Sequence, residues 1–373
     1  MKITKFLALF CAAVIGFVGC ETIEQAPEPT GKITLSADKT TLQLGESVTF
    51  TATMKDAETG ETTDVTKYVS IYDSQLNKIS NPWTPETSGS YTFNATYGAE
   101  SSNNVTITVM AQMPEVPADP QPENLTFNHR VVLIDHTGVN CGYCPMMTES
   151  LKLLEETDWH IHYNEVTCHA GSMAGGDPGN SAAANALNEM QKPNGYPNLN
   201  INFYGATVGN YGGQATVNKV IAAFEQCVKK DGADVGISMA VEGDSSNIYC
   251  AAQVKANVAK EYKVVAWLLE SGIKSPNQAG ASKDYHKIYN YALRNISGQY
   301  SKNNVAGESV GVIEKGKTYD VALSLPITST KWNWENMGVL VIVSAKDANN
   351  RWEVVNSSYC KVGESKAFEY IAE

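Results

Sequence analysis

The sequence predicts a multidomain α+β protein in which an all-β domain, a central α/β domain and a second strand-rich domain follow one another. Three observations carry that expectation. Apolar residues alternate with period two between residues 31 and 111, and strand-like patterns return after residue 233. Between these regions, apolar strand-like runs alternate with stretches at helical spacing. Four prolines within residues 112–124 separate the first pattern from the rest, as a stiff extended linker would.

The chain opens with a processing signal. Lys2 and Lys5 form a basic start, and Phe6 to Val18 is apolar but short for a bilayer span. Phe17-Val18-Gly19-Cys20 resembles a bacterial lipoprotein signal, with residues 1–19 removed and Cys20 lipidated. The alternative is an ordinary secretory signal with an incidental cysteine. Residues 20–30 read as a polar tether, and no other long apolar segment occurs. The expected location is the cell envelope, anchored to the outer membrane by lipid. A formal net charge of -12 argues against nucleic acid as a partner.

In residues 31–111, Val48, Phe50, Ala52 and Met54 alternate with Thr49, Thr51 and Thr53. Tyr91, Phe93 and Ala95, then Val105, Ile107 and Val109, repeat the pattern between Gly and Asn/Asp turns. This predicts an antiparallel β-sandwich. Leu42-Gln43-Leu44-Gly45-Glu46-Ser47-Val48-Thr49-Phe50 resembles bacterial immunoglobulin-like modules, which implies a spacer or binding role.

Residues 125–232 form the mixed region. Val131-Val132-Leu133-Ile134 reads as a buried strand that leads into Cys141-Gly142-Tyr143-Cys144-Pro145. Met147, Leu151 and Leu154 then predict a helix over 145–157. A second strand is expected over 159–168, a glycine-rich loop over 171–179, and an alanine-rich helix from about 181 to 190. A strand over 199–204 and an amphipathic helix through Val217, Val220, Ile221, Phe224 and Val228 complete the region. Residues 233–373 return to strands, expected at 236–241, 248–254, 262–269, 318–325 and 338–344. They read as a second sandwich.

The chemistry centres on the dithiol. A cysteine pair at a helix N-terminus meets unpaired N–H groups and the positive end of the helix dipole, which stabilise a thiolate. The thiolate is the attacking species in thiol–disulfide exchange. Cys141 stands nearer solvent and is the expected nucleophile; Cys144, one turn further in, is the expected resolving thiol. Asp135, if buried, would have a raised pKa and could accept a proton from Cys144. A cis bond at Tyr196-Pro197 would turn a backbone edge toward the sulfurs, where a substrate could add as a strand.

The strand, the dithiol, Asp135 six residues before Cys141, Pro197 and the closing helix together resemble the thioredoxin superfamily. That resemblance implies a proton-relaying acid at Asp135 and a cis-proline at Pro197 facing the dithiol. Asn140 departs from the tryptophan usual there. Gly142-Tyr143 resembles the pair of some periplasmic disulfide isomerases and lacks the histidine of strong oxidants. The whole arrangement, with Thr137-Gly138-Val139-Asn140 before the dithiol and Tyr285-His286-Lys287-Ile288-Tyr289-Asn290-Tyr291-Ala292-Leu293-Arg294 downstream, looks like the Omp28-related outer-membrane lipoproteins of Bacteroidota. The resemblance covers about 125–373. Two functions stay open: exchange with thiols and disulfides of exported proteins, or non-enzymatic binding of a surface ligand with the C-x-x-C as a permanent staple.

Other residues are weaker candidates. Cys168-His169 ends the second strand, either at the rim of the dithiol site with His169 aiding proton transfer, or as a strand-end histidine beside an inert core cysteine; a disulfide from Cys168 to another cysteine of the domain is a further alternative. Cys227 reads as a buried small hydrophobe. Cys250 and Cys360 sit on expected strands, either as an interstrand disulfide or as free thiols. His160 and His162 form His-x-His without a third ligand, so no metal is expected. Asp177-Pro178-Gly179 reads as a turn. Tyr204, Tyr211, Trp332 and Trp334 read as core or rim residues, or as an exposed platform. No phosphate loop or Ser-His-Asp motif implies a cofactor or a hydrolase.

Overall fold

The computed structural model describes residues 26–28, 31–110 and 113–371. The signal and Cys20 lie outside the described residues. The chain is mostly β-sheet with few helices, and it divides into two compact units, residues 1–112 and 113–373.

In the first unit, β1 (Gly31–Ala37), β3 (Phe50–Asp56) and β4 (Thr62–Asp64) make one sheet. The other is made by β2 (Thr41–Gln43), β8 (Val105–Met110), β6 (Gly89–Tyr97) and β5 (Ser70–Asp73), with β7 (Glu100–Ser101) beside β6. Val48, Phe50, Ala52 and Met54 are buried while the intervening threonines face outward, because successive strand residues point to opposite faces. The two inner faces share one core, in which the Phe50 and Phe93 rings meet edge-on at 5.0 Å.

The second unit is built on a nine-stranded sheet. Its dithiol-bearing part contains β9 (Val131–Thr137), α1 (Cys144–Glu155), β10 (Tyr163–His169), α2 (Ala182–Gln191), β11 (Asn198–Ile201), β12 (Thr207–Gly209) and α3 (Gly213–Cys227). β10 runs parallel to β9, and β11 antiparallel to it. Val131 and Leu133 pack under α1 and α3, whereas Val132 and Ile134 pack under α2. A strand covered on both faces has to be apolar throughout, which is why Val131–Ile134 shows no alternation.

The later strands are β13 (Val235–Gly243), β14 (Asn247–Ala256), β15 (Lys260–Glu270), β16 (Ile273–Lys274), β17 (Ile288–Tyr289), β18 (Ala292–Ile296), β19 (Glu308–Ile313), β20 (Thr318–Pro326), β21 (Met337–Lys346), β22 (Trp352–Lys361) and β23 (Glu364–Lys366). β20, β14, β13 and β23 form a four-stranded sheet. The larger sheet reads β12-β11-β9-β10-β18-β15-β21-β22, with β19 beside β15. The boundary expected at 232/233 therefore has one sheet running across it, joined where β10 pairs in parallel with β18. After residue 233 two sheets pack across one core, and one of the two layers is the far half of this shared sheet. β15 explains how: Tyr262, Val264, Ala266 and Leu268 face the four-stranded sheet, while Val265, Trp267 and Leu269 join the core on the α2 side.

The proline-rich segment is not a free spacer over its described part. The ammonium of Lys255, 4% exposed, reaches Asp119 at 2.9 Å, and the Tyr370 hydroxyl donates to Asp119 at 2.6 Å. A lysine is rarely buried without a partner, so this pair ties the segment to β14. We expect Lys255→Ala to lower unfolding stability by about 2 kcal/mol, the scale of a hydrogen bond to a charged group. It should also expose residues 113–124 to limited proteolysis; urea titration and peptide mapping measure the two effects.

Candidate functional site

β9 delivers the chain at the end of the sheet into Gly138–Asn140 and the dithiol, and Pro145 occupies the first turn of α1. Proline suits that position because its missing N–H would have had no helical partner. Cys141 and Cys144 form a disulfide with their Cα atoms 5.4 Å apart. Both are buried, at 3% and 2% exposure, while Tyr143 between them is 71% exposed.

Two loops hold the dithiol turn. On one flank the glycine-rich loop accepts from the Asn140 backbone N–H at Met173 O (3.0 Å) and from the Asn140 amide at Gly175 O (3.0 Å). The Asp177 carboxylate accepts from the Val139 N–H at 2.7 Å. On the other flank lies a strap, residues 273–289, whose ends pair as β16 and β17. Its Ala279 N–H donates to Val139 O (2.8 Å), and the Gln278 amide donates to Cys141 O (3.1 Å). The Tyr289 hydroxyl donates to Gln278 Oε1 at 2.6 Å and fixes that amide. Gly280 has φ +71°, and a Cβ there would stand 2.0 Å from Gly142 O, so the close approach requires glycine. Lys283 and His286 of the strap reach Glu149 on α1 at 2.8 and 3.3 Å.

Behind the disulfide lies a cavity of about 150 Å³ lined by Cys144, Asp135, Glu165, His169, His286 and Tyr289, among others. Asp135 is 3% exposed, and its Oδ1 has no hydrogen-bond partner. Burial, and then the charge of Glu165, push its carboxyl well above the usual range. Burial, and then Glu155, raise Glu165 to about 7. Asp177 goes the other way. Although burial pushes it up, the hydrogen bond from His169 and the N–H groups of Gly179 and Val139 hold it below the usual carboxylate value.

The peptide Tyr196–Pro197 is cis. Pro197 lines an open groove of about 570 Å³ with Tyr143, Met146, Tyr196, Tyr211 and Gly212. Cys141, Cys144 and Asp135 thus gather at one end of the sheet, and Pro197 shares a groove with Tyr143 from the dithiol turn.

The remaining candidates fall elsewhere, His169 excepted. Cys168 points to the α2 side, with its thiol against Ala184 O at 3.2 Å, and burial pushes its pKa up. Cys227 is half-buried on α3. Cys250 and Cys360 are buried free thiols on β14 and β22, strands that are not neighbours in either sheet. Of the two alternatives open for them, an interstrand disulfide and free thiols, the structure has the free thiols. His160 and His162 lie on a 3-10 turn, Asp158–His162, not on a strand. Among the described residues no group of three His, Cys, Asp or Glu side chains is placed to hold a metal ion. Trp332 stacks on the Arg294 guanidinium, and Trp334 packs on the inter-sheet core, so both are rim residues.

Sequence reading missed Gln278, Gly280, Glu165 and the bridging role of Asp177. The Asp177 turn does form, with Oδ1 accepting from the Gly179 N–H at 2.7 Å, but its other oxygen reaches the dithiol loop. No spacing rule could have found Gln278, which is 137 residues from the carbonyl it contacts.

Residues 184–366 match the family model described as outer membrane protein Omp28. Among solved structures, HBP35 of Porphyromonas gingivalis has a TM-score of 0.50 at 16% identity, over 67% of this chain and 81% of that one. A structural-genomics protein from Agrobacterium tumefaciens has a TM-score of 0.39 at 15% identity, over 64% and 96%. At these identities the first likeness concerns fold alone, and the second carries no argument. None of the curated proteins matches the chain.

Two outcomes follow from the site. A carboxyl whose folded pKa is raised supports the fold fully below its unfolded pKa of about 3.9, and that support is lost as pH rises through the folded value. Asp135→Asn should therefore gain stability over the wild type as pH rises above about 5, as measured by urea midpoints across pH. Gln278→Ala removes the strap's bond to Cys141 O. It should raise the rate of disulfide reduction by dithiothreitol several-fold, read by thiol labelling, while the urea midpoint moves little.

Proposed function

Over residues 184–366 the chain belongs to the Omp28 family of outer membrane proteins, and on that premise we propose that this envelope protein exchanges disulfides with exported proteins through Cys141 and Cys144. The single observation that carries the reading is the cysteine pair, bridged at the N-terminus of α1 after a buried strand, with a cis-proline groove beside its exposed Tyr143. The same features support a thioredoxin-like reading of residues 125–232, as the two packed sheets of residues 31–110 support an immunoglobulin-like one. Lipidation at Cys20 belongs to the proposal as its means of attachment.

The chemistry is a two-electron exchange. The Cys141 thiolate attacks one sulfur of a substrate disulfide, and the other sulfur leaves as a thiolate that takes a proton from water. Cys144 then attacks Sγ of Cys141, the mixed disulfide breaks, and the second substrate thiolate departs. The substrate disulfide is reduced to two thiols, and the chain's dithiol is oxidised to the disulfide; the reverse sequence oxidises a substrate. The α1 N-terminus lowers the energy of the Cys141 thiolate. Asp135 is the buried acid behind the inner sulfur, and the backbone at Pro197 offers an edge to an extended substrate.

A second reading has its own support. Both sulfurs are nearly inaccessible beneath the strap, which suits a disulfide that staples a surface-binding protein. Cys144→Ser separates the two readings. Exchange predicts disulfide-linked partners through Cys141 that reductant releases, and insulin reduction by the wild type that Cys141→Ser abolishes. No linked partner, together with a reduction potential below about -300 mV, where structural disulfides lie, would leave the binding reading.

A further inference from the structure

We propose that His169 is the proton acceptor for Cys144 when the inner thiol resolves a mixed disulfide, and that Asp177 is the residue positioning it. The inference rests on the exchange reading and adds to it a residue and its partner.

The geometry is that of an oriented base. The Nδ1 of His169 lies 3.0 Å from Asp177 Oδ2, and both side chains are buried. A carboxylate bonded to Nδ1 holds the proton on that nitrogen, fixes the ring and leaves the Nε2 lone pair open. The Tyr289 ring, with its centroid 4.1 Å away, holds the imidazole from the strap side. His169 is 1% exposed, its Nε2 has no hydrogen-bond partner, and it lines the same cavity as Cys144. A buried ring nitrogen is seldom left unpaired. The cavity, at about 150 Å³, has room for one water to carry a proton across it.

Asp177 also ties the dyad to the reacting turn, since the oxygen that holds His169 accepts from the Val139 N–H. Asp135 faces the same cavity. Burial, and then the charge of Glu165, push its carboxyl well above the usual range, which favours the neutral form over the anion that would accept a proton. The titratable and charged groups facing His169 are Asp177 from the glycine-rich loop, Asp135 from β9 and Glu165 from β10. Across the cavity are Cys144, Lys152 and Glu155 on α1, and Tyr285, His286, Tyr289 and Tyr291 from the strap and the residues just after it.

The step balances. His169 Nε2 takes the proton from Cys144 Sγ–H, and the thiolate attacks Sγ of Cys141. The bond from that sulfur to the substrate sulfur breaks with its electron pair, and the substrate thiolate leaves. The substrate disulfide is the oxidant, and His169 later returns its proton to water.

The test uses the full chain, reduced, with oxidised glutathione as the disulfide probe. Rapid mixing resolves attack, seen as the first glutathione released, from closure, seen as the second. For His169→Gln we expect attack at pH 7 within twofold of wild type and closure slowed about 100-fold, the scale of a lost general base. Closure should recover toward the wild-type rate by about pH 10, above the ordinary thiol pKa, where hydroxide supplies the thiolate. Asp177→Asn should show a smaller loss with the same alkaline recovery. Equal closure rates, parallel slowing of both steps, or no alkaline recovery would each overturn the proposal. Imidazole nitrogen resonances of the wild type give a check that needs no variant. They should differ between the dithiol and disulfide forms, and identical resonances for His169 would also refute its role. If the wild type forms no mixed disulfide, the exchange reading falls and this one with it. If the wild type closes and His169→Gln closes equally fast, only the role of His169 falls.

Discussion

The pairing of β10 with β18 is the constraint on which the rest of the second unit depends. Thr167 meets Ala292 across that junction, and the Thr167 N–H donates to Tyr291 O at 2.9 Å. Without a neighbour, β10 would expose a row of backbone donors and acceptors beside Val166 and Cys168. β18 also pairs antiparallel with β15, and the chain that joins these two strands runs over the end of the sheet where the dithiol sits. The strap follows from that connection. It brings Gln278 against Cys141 O, and Tyr289 and His286 into the wall of the cavity behind Cys144.

The same junction sets the electrostatics of the site. Asp135, Glu165 and His169 point to the α1 face of β9 and β10, and α1 and the strap close over them. A carboxyl removed from water favours its neutral form, and burial pushes Asp135 in that direction. Asp177 lies within hydrogen-bonding distance of an imidazole and two backbone N–H groups, so it stays ionised. Two aspartates in one small region are thus driven in opposite directions by their surroundings. Divergence of that kind is how a site obtains both an acid and an anchor for a base.

Much of this architecture is legible in the amino-acid sequence. The alternation of Val48, Phe50, Ala52 and Met54 marked an inward face, and the unbroken run Val131–Ile134 marked a strand covered on both sides. Met147, Leu151 and Leu154 are the buried stripe of α1. The cysteine pair stands out because its place between a strand and a helix is local, whereas Asp135 and Pro197 stand out through the resemblance to the thioredoxin superfamily. The edges of the reading failed where pairing is long-range. Apolar runs after residue 233 mark strands but not their partners, so the sequence does not show that one sheet runs across 232/233.

The amino-acid sequence by itself determined the strand and helix positions, the dithiol at a helix N-terminus and the Omp28 resemblance, because each rests on contacts within a few residues or on a short motif. Only the tertiary structure decided that residues 273–289 cover the dithiol and that Asp177 reaches from a turn to His169 and Val139. It alone decided that Asp135, Glu165 and His169 share one cavity. These depend on which strand edges meet, and strand periodicity specifies the face of a residue without naming the neighbour across the sheet.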